Sequence, residues 1–257
     1  MRELLTQVQI QKIKIYGERN TGTNYLAKLI GLNLSVELLP GVAPAHVQLL
    51  EKLTTGEEST RDRYFTKTFT QNLGWKHRFV NLSELSSIRD TIQHVGFVCL
   101  VKNPYAWLLS FYHSPHHYEG TTKESFSEFL VKPVQLLNRD NLLADFVTPI
   151  QLWNLKNQSY YEVVQHFDGV LLKYESLLKS PDRTIHSINS AFNVSLLESG
   201  FKNFEKSTKS DTSRDFDYYR TYYLNEVWKQ DLTPELIDVI NGQLDQVVMD
   251  QLNYTLL

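Results

Sequence analysis

The segment Gly17-Glu18-Arg19-Asn20-Thr21-Gly22-Thr23-Asn24 has the glycine spacing of a phosphate loop. In such a loop, successive backbone N–H groups and a helix N-terminus gather around anionic oxygens. A nucleoside triphosphatase would follow the second glycine with Lys and then Ser or Thr, to reach the terminal phosphates and hold magnesium. Here Thr23 and Asn24 stand in those places. The loop therefore suits an anion but lacks the groups that define nucleotide hydrolysis, and no metal is expected. Arg19, inside a loop that wraps an anion, is placed to meet developing negative charge. The same two glycines would also serve as a plain turn after a strand. His113, His116 and His117 bring enough imidazole together for zinc to be considered. Ser114-Pro115 interrupts helical spacing there and no cysteine is near, so acceptor contact or surface exposure is the expected role.

The elements around these residues alternate. Residues 13–16 alternate like a short strand, and residues 25–30 behind the loop read as a helix. Residues 96–101 form a continuous apolar run, as in a strand covered on both faces, and Pro104 then stands where a helix can begin. Helical patterns recur at 125–131, 145–167 and 182–192, with a further buried strand at 169–174. Strands alternating with helices predict an α/β fold of three layers, a mainly parallel central sheet flanked by helices, with a P-loop-like strand-loop-helix at the N-terminus. Residues 34–72 lack a steady period and are expected to be long loops around short elements. From Thr233 onward the pattern predicts one capped helix packed on the sheet, with Leu236, Ile237, Ile240, Leu244, Val247 and Val248 on its inner face.

With 257 residues the chain can bury a sizeable core, and it reads as one domain over 1–257, with 34–72 and 202–217 as loop or lid regions. The charge balance, 26 basic against 29 acidic residues, argues against a general polyanion binder, so no nucleic-acid partner is expected and any anion site must be local. Cys99 is the only cysteine and lies in the apolar run, which fits a reducing, cytoplasmic setting. The first residues lack the apolar segment of a signal peptide, and no stretch is long enough to span a bilayer. A soluble protein without a membrane partner is expected; nothing bears on oligomeric state.

Residues 18–26 and the segment from Val101-Lys102-Asn103-Pro104 to Ser110-Phe111-Tyr112 together resemble the two cofactor motifs of the sulfotransferases that use 3′-phosphoadenosine-5′-phosphosulfate (PAPS). Thr21, Gly22, Thr23 and Tyr25 match the family's 5′-phosphosulfate loop, while Asn20 stands where a basic residue is usual and Arg19 lies one position earlier. Lys102 and Ser110 occupy the places of the 3′-phosphate motif, Lys102 where many members carry Arg. Tyr174-Glu175-Ser176-Leu177 and residues 218–229 are similar to two later family segments. The late Arg-Lys-Gly motif is missing, and Lys206, Lys209 and Arg214 are the candidates to supply its charge. The resemblance implies a cofactor site of Arg19, Asn20, Thr21, Gly22, Thr23, Asn24, Tyr25, Lys102, Ser110 and Arg214. Physically, Lys102 at a strand end and Ser110 two turns into the next helix could reach one phosphate.

Sulfuryl transfer needs in-line approach, a base for the acceptor proton and cations for charge on the bridging oxygen. Trp75-Lys76-His77-Arg78 resembles the segment where family members keep a lysine and a basic histidine. It makes His77 the candidate base, with Lys76 or Arg19 stabilising the departing phosphate and Glu18 and Glu175 as reserve bases. Tyr218, Tyr219, Tyr222, Tyr223 and Trp228 could stack on adenine or an acceptor ring, or pack in the core. The implied activity is transfer from PAPS, leaving 3′-phosphoadenosine-5′-phosphate (PAP), to a small-molecule or saccharide acceptor. The rival readings are a P-loop kinase or hydrolase, and a non-catalytic nucleotide- or carbohydrate-binding module.

Overall fold

Val95–Val101 consists of Val, Phe, Cys and Leu around one glycine, and all seven residues are buried. In the computed structural model, which describes residues 9–53, 59–115, 124–143, 146–208 and 213–257, this strand, β3, lies between β1 (Lys12–Tyr16) and β4 (Gly169–Lys173). The short β2 (Glu37–Leu38) borders β1, giving the order β2-β1-β3-β4. Every neighbouring pair is parallel, with Lys12 opposite Glu37, Tyr16 opposite Cys99 and Val101 opposite Lys173. Parallel neighbours need crossover connections, and helices supply them. The Thr23–Asn33 helix follows β1 and packs with the Pro181–Phe192 helix, while the Pro149–His166 helix packs on β3 and β4. The predicted α/β class, with a parallel sheet flanked by helices, is the observed one.

The strand order reverses between β1 and β3. In open parallel sheets, ligands bind in the crevice beyond the carboxyl ends of the strands at such a reversal. Residues 17–22 leave β1 there, and Lys102 follows β3 there.

The structure corrects several expectations. The described part of residues 34–72 is largely helical, with helices Ala45–Leu53, Ser59–Lys67 and Phe69–Asn72 after β2. Ala43, Val47, Phe65 and Trp75 form a small apolar core beneath them, and four residues spread over this much chain leave no local period to read. β4 is half-buried rather than buried, because it is a sheet edge, and Tyr174 begins the next helix, Tyr174–Lys179. The C-terminal segment is two helices, Pro234–Asn241 and Gln246–Gln251, because Asp245 caps a second start with its side chain. They pack on the Phe126–Val131 and Pro149–His166 helices, and Val247 faces outward. No helix among the described residues is long and apolar enough to cross a membrane.

Candidate active site

The loop after β1 is fastened from three sides. Asn20 (φ 64°) and Gly22 (φ 86°) both take left-handed backbone, which Asn tolerates and Gly favours. Any Cβ at Gly22 would stand 2.5 Å from the Tyr174 ring, so that ring packs directly on the loop. Thr21 Oγ1 donates to Glu18 O at 2.5 Å, which closes the turn. Asn20 Nδ2 donates to the carbonyls of Ser110 (3.3 Å) and Ser114 (3.1 Å), and Trp107 Nε1 donates to Arg19 O at 2.7 Å. The loop thus hangs on the Pro104–His113 helix. Thr23 and Asn24 open the Thr23–Asn33 helix, and both line a cavity of about 460 Å³ together with Lys76 and His77. Tyr25 turns the other way, donating its hydroxyl to Asn203 Oδ1 at 2.7 Å.

Lys102 and Ser110 meet at the end of β3. Asn103 caps the helix, its side chain accepting from the backbone N–H groups of Tyr105 and Ala106, with Pro104 at the first turn. That helix carries Ser110 back over the strand end. Lys102, fully buried, donates to Ser110 Oγ at 2.7 Å and to Asn20 O at 3.3 Å, and its Nζ lies 3.9 Å from the Tyr223 ring centroid. Tyr223 Oη and Ser110 Oγ are 2.9 Å apart. Burial lowers the Lys102 ammonium to about 7, while Glu175 favours the charge. A buried cation whose hydrogen bonds go to neutral oxygens fits an anionic ligand. Arg214, with Tyr218, Tyr219 and Tyr222, lines a cavity of about 340 Å³ beside Ser110.

Lys76 and His77 reach the loop from the far side of β1. Gly17 N donates to Lys76 O at 3.0 Å, and His77 Nδ1 lies 2.5 Å from Gly17 O. A ring nitrogen facing a carbonyl must carry the hydrogen, which leaves the lone pair on Nε2. Burial pushes the imidazole well below its usual range, and the charges of Lys76 and Arg19 push it the same way, so His77 is neutral near pH 7 with its lone pair at Nε2. Lys76 Nζ donates to Asn24 Oδ1, and burial lowers this ammonium to about 8.

Two β1 side chains hold that segment in place, and sequence reasoning missed both. Lys14, fully buried, donates to the carbonyls of Pro40, Asn72 and Gly74, which matches the three N–H bonds of an ammonium. Tyr16 Oη donates to Leu73 O at 2.6 Å.

Arg19 borders the site and is also engaged from within the protein. It lines the same cavity, yet its guanidinium gives Nη1 to Glu18 Oε1 at 3.0 Å, meets Asp140 at 3.4 Å and stacks 4.4 Å over Trp75. Lys156 completes the cluster, 2.5 Å from both Glu18 Oε2 and Asp140 Oδ1, with a bond to His77 O at 2.6 Å. All four charges are buried. Burial opposes ionisation of Asp140, but Lys156 and Arg19 overcome it and hold the carboxyl at about 2. Asp140 and Lys156 escaped sequence reasoning because nothing local marks them. As reserve bases Glu18 and Glu175 are both committed: Glu175 accepts from Asn103 N (3.0 Å) and Tyr254 Oη (2.9 Å).

A third, narrow cavity runs between Tyr25, Tyr174, Phe216 and Tyr219, with Lys206 at its edge. Asn20 and Gly22 border both it and the large cavity, and Ser114 borders the large cavity and the Arg214 cavity, so the three adjoin around the loop. Trp228 is core, stacked 6.4 Å from Tyr105. His113 lines the Arg214 cavity, whereas His116, His117 and Lys209 lie outside the described residues.

No protein-family model matches the sequence, and no curated protein matches it. Solved structures do. A sulfotransferase domain from the curacin biosynthetic pathway superposes with a TM-score of 0.52 at 14% identity, covering 98% of this chain and all of that one. A mouse sulfotransferase, SULT7A1, complexed with PAP, superposes with a TM-score of 0.52 at 13% identity, covering 95% of this chain and 89% of that one. The chain has the sulfotransferase fold.

Proposed function

We propose that the protein transfers a sulfuryl group from PAPS to a hydroxyl or amine of a small-molecule or saccharide acceptor. The carrying observation is the buried Lys102–Ser110 pair, bonded to the loop after β1 at the strand-order reversal. An anion site beside a second anion site on one loop suits a nucleotide phosphorylated at both 3′ and 5′ positions. The fold likeness, and PAP in the mouse structure, point the same way. A nucleoside triphosphate with magnesium is a poorer fit, since Thr23 and Asn24 replace the lysine and the metal-holding hydroxyl.

In this reading, Lys102, Ser110 and Arg214 hold the 3′-phosphate, the aromatic cleft beside Tyr25 and Phe216 takes the adenine, and residues 20–24 take the 5′ end. When bound, PAPS supplies an activated sulfuryl group and departs as PAP. His77 Nε2 accepts the proton of the attacking hydroxyl or amine as the acceptor–sulfur bond forms. Lys76 donates to the negative charge that collects on the departing phosphate as the sulfur–oxygen bond breaks. Arg19 acts through position, because its hydrogen bonds run to Glu18 and Asp140. The reading includes a cytoplasmic setting, which the lone buried Cys99 supports.

PAP should raise the melting temperature of the purified protein by mass action, and ATP with magnesium should not. The reverse pattern would sink the proposal in favour of a kinase. His77→Gln should keep the PAP shift and lower kcat about 10²–10⁴-fold in a radiolabelled PAPS assay. Unchanged turnover would remove His77 from the chemistry.

A further inference from the structure

The large cavity is wider than the loop alone requires, and its far wall is charged on one side only. Beyond Lys76 and His77 it is lined by Arg61 of the Ser59–Lys67 helix and Arg139 of the Asn138–Asp140 turn, with Phe65 and Trp75 between them. Each arginine is anchored by a carboxylate. Arg61 Nε pairs with Glu51, itself buried, and Arg139 Nη1 meets Asp62 Oδ1 at 3.0 Å while its guanidinium lies 4.7 Å from the Trp75 ring centroid. Neither Glu51 nor Asp62 lines the cavity, and no described carboxylate does. The Arg61–Glu51 pair is therefore oriented, with its positive end toward the space and its negative end buried, while Arg139, itself buried, borders the space from beside Trp75. A neutral acceptor has no use for a wall built this way. An anion held by oriented, pre-positioned guanidinium groups gains charge-assisted hydrogen bonds without first ordering the donors. The volume, about 460 Å³, is within the range of small-molecule sites and includes room beyond the transfer point.

We infer that the acceptor carries an anionic group of its own, a carboxylate or a sulfate or phosphate ester, which Arg61 and Arg139 hold while its hydroxyl lies at His77. This rests on the sulfotransferase reading for the role of His77, but the anion site itself does not.

The test uses matched probes differing chiefly in that charge: 4-nitrophenyl glucuronide against 4-nitrophenyl glucoside, and phenyl sulfate against phenol. Each is titrated by calorimetry into the full-length protein saturated with PAP. The anionic member of each pair should bind about ten- to a hundredfold more tightly. In the double variant Arg61→Gln/Glu51→Gln, which leaves no unpaired buried charge, that preference should fall to about two- to threefold, with the PAP-induced rise in melting temperature unchanged as the check on folding. Arg61→Lys, which keeps charge but loses the planar fork, should retain part of it. Equal binding of charged and neutral members, no binding of either, or a preference that survives the double variant overturns the inference, even if PAP binds normally. If PAP does not bind but the anionic probes still do and depend on Arg61, the anion site stands and the sulfotransferase reading falls.

Discussion

Lys102 and Lys156 are both fully buried lysines beside the same loop, and their surroundings divide them. Lys156 is matched by Glu18 and Asp140, each 2.5 Å away, so its charge is neutralised inside the protein. Lys102 donates to a hydroxyl and a carbonyl and lies over aromatic rings, and among the described residues no ion pair includes it. A buried charge that is paired and hydrogen-bonded belongs to the scaffold, and breaking it exposes the partner's uncompensated charge. A buried charge whose hydrogen bonds go only to neutral oxygens, with Glu175 acting on it without an ion pair, keeps much of its desolvation cost until an anion arrives. The same residue type, at the same depth, thus fastens the loop at Glu18 and awaits a ligand beside Ser110.

The comparison breaks most readily at Lys156. Lys156→Met leaves Glu18 and Asp140 facing each other with only Arg19 between them, and should cost about 3–5 kcal/mol in denaturant unfolding. It should also raise the pH of acid unfolding. The carboxyl of Asp140, held at about 2, contributes stability that is present above its unfolded value and lost as pH falls through the folded one. Without Lys156 that loss begins at higher pH. Lys102→Met should do the opposite. Its unfolding free energy should stay within about 1 kcal/mol of the parent, while PAP binding weakens by about 1.5–3 kcal/mol, the worth of a hydrogen bond to a charged group. If Lys102→Met unfolds the protein as readily as Lys156→Met, both lysines are scaffold and the distinction fails.

The half of the site around Lys102 was readable because local chain holds it. A strand end, an Asn-Pro helix start and a serine two turns later fix one another through geometry that the sequence states directly. The half around His77 was readable only as residue types. Lys76 and His77 are placed by Lys14 and Tyr16, which grip the carbonyls of residues 72–74 from β1, and by Lys156 from a helix far along the chain. None of these contacts leaves a period or a spacing. The alternation over residues 13–16 even points Lys14 toward solvent, and only the chain around Pro40 and residues 72–74, laid over that face of β1, puts it inside. Arg19 shows the same limit: loop position predicted an anion contact, and its chain neighbour Glu18 together with Asp140, brought by tertiary structure, engages it. The helices over residues 45–72 were missed because their small core draws on few residues each.

The smallest effect is the sharpest test of the comparison. Burial lowers the Lys102 ammonium to about 7, so at pH 8 the ligand-free side chain is mostly neutral. A bound 3′-phosphate favours the cation, so PAP binding at pH 8 should take up about 0.9 proton at Lys102, with a further fraction at Lys76, which titrates at about 8. Affinity should accordingly weaken as pH rises from 7 toward 9, since each deprotonated lysine must be recharged at the expense of binding. Calorimetry at pH 8 in two buffers of different ionisation enthalpy reads the uptake directly. Lys102→Met should lower it by nearly one proton and leave the Lys76 share. A parent protein that takes up no proton would mean that Lys102 is already cationic when ligand-free. Glu175 would then compensate it much as Glu18 and Asp140 compensate Lys156, and the two lysines would differ in distance to their carboxylates rather than in kind.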